Sequence, residues 1–167
     1  MTIITDLFKS ASVGILSVYE NPIIFVIFIS FLIWASITDF KTLKIRDYQN
    51  VAFLYVGILS YLGIFGTGFT LGWHNVYGAI VGFLILFIPG MILNYAFGGD
   101  IKFATAMGFW IGPSAILLVL ILATLIQSLI LVIKAIRTKN FSPKVKFPFA
   151  PAFSIAYFIS LGILLYF

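Results

Sequence analysis

Cysteine is absent from this chain, histidine occurs once, and only five of its 167 residues are acidic. The first absence excludes disulfides, thiolate metal sites and cysteine nucleophiles together. A single histidine, His74, excludes a histidine-built metal centre, and neither a metal nor another cofactor is expected. Charged residues are also scarce, at 9% against 62% hydrophobic, and the mean hydropathy is +1.18. Such a chain cannot cover its outside with polar groups as a soluble domain must, so lipid is its solvent. The expectation is a single membrane-embedded domain over 1–167, with any active site built from helices and short loops and with no nucleic-acid partner.

Apolar runs of roughly 17 to 25 residues cross a bilayer as helices. They lie here at 22–38, 48–66, 76–95, 114–136 and 149–167, with a shorter run at 101–112 that ends at Pro113. At about 1.5 Å per residue the short run cannot span freely, and it is expected inside the bundle. Residues 1–20 carry Asp6, Lys9 and Glu20 among apolar positions and lack the plan of a secretory signal, which suggests an interfacial amphipathic helix. The fold class is therefore an all-α integral membrane bundle of about six transmembrane helices, one short, plus that interfacial helix.

Basic residues set the orientation, because Lys and Arg in short loops are retained in the cytoplasm. Nine of the ten fall in alternate connections: Lys41, Lys44 and Arg46, then Lys102, then Lys134, Arg137, Lys139, Lys144 and Lys146. The opposite connections, 67–75 and around Pro113, hold none and should face outward, with His74 a solvated loop histidine. Asp39, Asp47 and Asp100 then share the cytoplasmic side of a cell membrane, where the basic 134–146 segment would meet anionic lipid.

Two of these acids, Asp39 and Asp100, stand where hydrophobic runs end. A carboxylate at the edge of hydrocarbon is costly to desolvate, so such a residue is a functional candidate by default. Ala104, Gly108 and Gly112 follow Asp100 at four-residue intervals and form a stripe of small side chains on its helix face. Another helix can approach closely along it, and Gly78 and Gly82 repeat the pattern in the preceding helix. Gly98 and Gly99 permit a tight or left-handed turn that would aim the Asp100 carboxylate. Two carboxylates in hydrogen-bond range share one proton, giving a base and an acid in one site, and such a pair activates water against an amide carbonyl. The plainer alternative is that both acids cap helix ends or pair with Lys41 and Lys102. Lys102 lies off the face of Asp100 and is expected to snorkel towards headgroups. Asn94, Gln127 and Ser128 are expected to bond between helices.

Three blocks carry a resemblance. Ile37-Thr38-Asp39-Phe40-Lys41-Thr42-Leu43-Lys44-Ile45, then Gly98-Gly99-Asp100-Ile101-Lys102 running on to Gly112, and then Phe147-Pro148-Phe149-Ala150-Pro151 resemble the type IV prepilin peptidase family of membrane aspartic endopeptidases, in that family's order. The resemblance implies that Asp39 and Asp100 are the catalytic pair; Gly98, Gly99, Lys102, Pro148 and Pro151 are the supporting residues beside it, the two prolines fixing an entry turn. Position 97 is Phe where the family has the first glycine of Gly-x-Gly-Asp, and Ile45-Arg46-Asp47 stands where it often has Ile-Pro-Asn, making Asp47 a rival acid. It further implies a short, peptidase-only member, without the cysteine-bearing methylating domain of larger relatives. Its substrates would be prepilin-like or preflagellin-like precursors, cut at the cytoplasmic membrane face.

From the residues alone, a small proton-coupled transporter or channel component is the competing class, since acids also relay protons. It needs ionisable groups reaching towards both faces, and the outer half offers only His74 and the N-terminal charges. A non-catalytic scaffold is the third class, favoured if the two acids lie far apart.

Overall fold

The structure, a computed structural model, describes residues 2–63, 72–92, 98–138 and 148–166. All elements among them are helices: α1 (Thr2–Glu20), α2 (Pro22–Thr42), α3 (Asp47–Tyr61), α4 (Trp73–Ile92), α5 (Gly98–Ile111), α6 (Pro113–Thr138) and α7 (Phe149–Tyr166). Four are long and apolar enough to cross a bilayer: α2, α4, α6 over Pro113–Lys134, and α7. The chain is thus an all-α, multi-pass membrane protein.

Local chemistry sets the ends of α2. Pro22 occupies its first turn, where a missing N–H costs nothing, and the Asn21 side chain accepts from Ile23 and Ile24 N–H at 3.1 and 3.2 Å. At the far end Leu43 adopts φ 52°, and its N–H donates to the Asp39 carbonyl at 2.8 Å. The helix therefore stops one turn after Asp39.

The expected span at 48–66 is shorter than its hydropathy suggests. Helix α3 ends at Tyr61, and Gly63 adopts φ 77°, a left-handed conformation that ends a helix at little cost. His74 is likewise not a loop residue. It sits in the first turn of α4, exposed, with its ring against Gly112, where a Cβ would clash with Nε2. Gly112, at φ 81°, makes the break between α5 and α6, and Pro113 opens α6. Ser128 bonds within its own helix, donating to the Thr124 carbonyl at 2.7 Å.

Helix α5 is the axis of the bundle. Eight of its fourteen residues are buried, including every position from Ala106 to Ile111. A helix that is apolar on all sides belongs inside. Its small-residue stripe meets that of α4: a Cβ on Gly78 would run into the Gly108 carbonyl, one on Gly108 into the Gly78 carbonyl, and one on Gly82 into the Ala104 carbonyl. On another side Trp110 fills the space left by Gly57, its Nε1–H donating to the Phe53 carbonyl at 3.0 Å. Phe28, Phe53, Phe103 and Tyr157 complete an aromatic core around it.

The last carbonyls of a helix lack partners within it. Here Asn75 Nδ2 donates to the Phe109 carbonyl at 2.9 Å, and the Tyr61 hydroxyl to that of Trp110 at 2.8 Å. Helix α1 seats Ala11, Ile15 and Val18 in the core, with Ser10 and Ser114 hydroxyls 2.9 Å apart. Gly14 lies so close to the Ile111 carbonyl that no Cβ fits.

Candidate active site

The buried stripe of α2 runs Ile24, Phe28, Leu32, Ala35 and Asp39, so the acid continues the face that apolar residues turn towards the bundle. Only 2% of Asp39 is exposed. A buried carboxylate needs hydrogen-bond donors, and the start of α7 supplies them. Ala150 N–H donates to Asp39 Oδ2 at 2.8 Å, and Phe149 N–H is also directed at the carboxylate. These are orphan donors of a first helical turn, at the positive end of the helix dipole.

Pro148 immediately precedes α7 and Pro151 is its third residue. Proline is tolerated in a first turn because its missing N–H would have no partner inside the helix. The two prolines flank the N–H groups that Asp39 uses.

Asp100 lies in the first turn of α5 and is partly exposed. Asp39 and Asp100 are near enough for the charge of Asp39 to act on Asp100. The two glycines before Asp100 do not make a left-handed turn, because both already belong to the helix and neither has positive φ. Gly99 serves close approach instead. A Cβ there would stand 2.7 Å from the Ile45 carbonyl, so its absence lets the loop after Asp39 rest on the helix that carries Asp100. Gly98 has open space around it, and no contact accounts for it.

The remaining candidates lie at the rim. Lys102 does not simply reach for headgroups: its Nζ lies 2.8 Å from Asp47 Oδ1, with both side chains more than half exposed. Asp47 is therefore engaged at the surface, whereas Asp39 is enclosed. Asn94 and Phe97 fall outside the described residues, as do Lys139, Lys144 and Lys146.

Two residues absent from the sequence-based candidates are prominent beside the pair. Gln49 and Asn50, 2% and 4% exposed, are adjacent in the first turn of α3. Gln49 Nε2 donates to Thr38 Oγ1 at 2.9 Å, and Asn50 Nδ2 to the Gly99 carbonyl at 3.1 Å. Their signal was two successive amides inside an otherwise apolar run.

The fold and site define a polytopic membrane protein with one enclosed and one partly open carboxylate at the same end of its bundle. The family model of the type IV leader peptidases matches residues 26–133, and the chain belongs to that family. The match includes both aspartates and ends before the Pro148 to Pro151 segment. The chain is also 34% identical over 113 residues to the prepilin leader peptidase/N-methyltransferase of Pectobacterium carotovorum subsp. carotovorum, a stretch covering 62% of this chain and 39% of that relative. No solved structure matches it significantly.

Proposed function

We propose that the chain is an aspartic endopeptidase that removes the short leader of type IV pilin-like or archaeal flagellin-like precursors, with Asp39 and Asp100 as its catalytic pair. The observation that carries the proposal is the placement of these two acids at one end of the bundle, with the residue before each bonded to the same turn of α3, inside the region that matches the family. One carboxylate takes a proton from water, and the other donates a proton to the oxygen of the scissile carbonyl as the water oxygen bonds to its carbon. Collapse of the tetrahedral intermediate breaks the C–N bond, and the leaving amine takes up a proton. Asp39, held by the Ala150 N–H, enters each cycle in a fixed orientation.

The pair lies beside Lys41, Lys44, Arg46 and Lys102, whose positive charge favours the cytoplasmic side. A precursor whose cleavage point adjoins an apolar helix would be positioned by the same bilayer, turning encounter into a search within a plane.

The test is co-expression with candidate precursors, read by mass spectrometry as loss of a leader-sized fragment. Asp39→Asn and Asp100→Asn should each abolish the loss while the protein still purifies as a folded species. Near-normal cleavage by either variant would remove that residue from the pair.

A further inference from the structure

The acids stand on different helices, and no hydrogen bond among the described residues joins α2 directly to α5. What links them is the first turn of α3. Gln49 reaches one way: its Nε2 donates to Thr38 Oγ1, on the residue before Asp39, while its Oε1 accepts from Arg46 N–H at 3.2 Å. Asn50 reaches the other way, its Nδ2 donating to the carbonyl of Gly99, the residue before Asp100. Each amide thus grips the neighbour of one acid.

Asn50 is not explained by stability. Its Oδ1 is buried with no hydrogen-bond partner among the described residues, and an orphaned buried acceptor costs folding free energy. Turning the amide over would not help, because it would set oxygen against the Gly99 carbonyl and merely transfer the deficit. Beside Gln49, the side chains of Phe31, Ala35, Phe53 and Phe103 line a narrow and mostly apolar cleft around it, in which a leucine of similar size would suffice. An amide kept there at a cost has another use.

We propose that Gln49 and Asn50 are positioning residues that set the separation of Asp39 and Asp100, acting as a two-armed brace from α3 to the helices carrying the two acids. The inference rests on the peptidase reading for its functional consequence but not for its geometric one. A proton shared between two carboxylates requires a narrow range of separations, and a misplacement of about 1 Å can cost on the order of 100-fold in rate. The missing Cβ of Gly99 fits the same scheme, since it admits the Ile45 backbone alongside the bond that Asn50 makes.

The absence of cysteine makes the test direct. Nitroxide labels on Lys41→Cys and Gly98→Cys, both exposed, report the separation of the two acid-bearing helix ends in the full-length protein. Adding Asn50→Leu should shift or broaden the distance distribution. In the unlabelled protein, the same substitution should lower kcat on a precursor by about tenfold or more with KM little changed. Gln49→Leu should do the same from the other arm, and it carries the test alone if Asn50→Leu does not fold. Unchanged distances overturn the brace whatever the rate does, and altered distances with wild-type kcat overturn its catalytic purpose. Should the wild-type protein cleave no precursor, the peptidase reading fails, while the label distances still decide whether the amides hold the helices.

Discussion

Asp39 and Ala150, 111 residues apart in sequence, are joined by a 2.8 Å hydrogen bond from the Ala150 N–H to Asp39 Oδ2. The acid thereby caps a helix other than its own. This bond separates the structural duty of Asp39 from its proposed chemical one. An asparagine retains an oxygen that can accept from Ala150, whereas an alanine leaves that buried donor unmet. Thermal unfolding in detergent should place Asp39→Ala about 1–3 kcal/mol below Asp39→Asn, with both variants inactive. Equal stability of the two would show that the cap contributes little.

Asp47 should be dispensable. Its ion pair with Lys102 is exposed on both sides, and exposed pairs contribute about 0–1 kcal/mol. Asp47→Asn is expected to cleave precursor at close to the wild-type rate; loss of cleavage comparable to that of Asp100→Asn would return Asp47 to the catalytic pair.

The contact between α4 and α5 should tolerate no side chain. Gly78 and Gly108 lie against each other's backbone carbonyl, and a carbonyl cannot rotate aside as a flexible side chain can. Gly78→Ala and Gly108→Ala should each cost about 3 kcal/mol, the upper part of the usual range for overpacking. The measurement is the unfolding midpoint of purified protein. A change below about 1 kcal/mol would mean that the helices separate more readily than their packing suggests.

Tyr157 offers a contrasting case. It is fully buried beside Phe28, and its hydroxyl finds no partner among the described residues. Tyr157→Phe removes only that hydroxyl and should leave stability unchanged or raise it by up to about 1 kcal/mol. A marked loss would reveal a hydrogen bond to lipid or water.

Much of the architecture was legible because lipid imposes simple rules. Apolar runs marked the helices, and the shortness of the run after Asp100 put it at the centre. The four-residue spacing of Ala104, Gly108 and Gly112 announced a close neighbour, while Gly78 and Gly82 supplied the matching stripe. Helix ends were less legible: hydropathy continues past Tyr61, but a left-handed Gly63 ends α3 there. The purpose of Gly99 was misread for a related reason. Glycine permits unusual dihedrals and close contact alike, and only the position of Ile45 tells which is used. The partners of Asp39, Gln49 and Lys102 depend on how helices pack, which no local pattern encodes.

The glycine contact between α4 and α5 also bears on how a substrate could enter. Main chain pressed against main chain leaves no torsion to absorb strain, so these two helices behave as one stiff plate. Contact between α2 and α3 runs instead through side chains, Gln49 on Thr38 and Phe53 on Phe28 and Phe31. A peptide arriving beside the pair would therefore meet the plate as an unyielding wall, and accommodation would fall to side-chain rotamers on the α2 and α3 side.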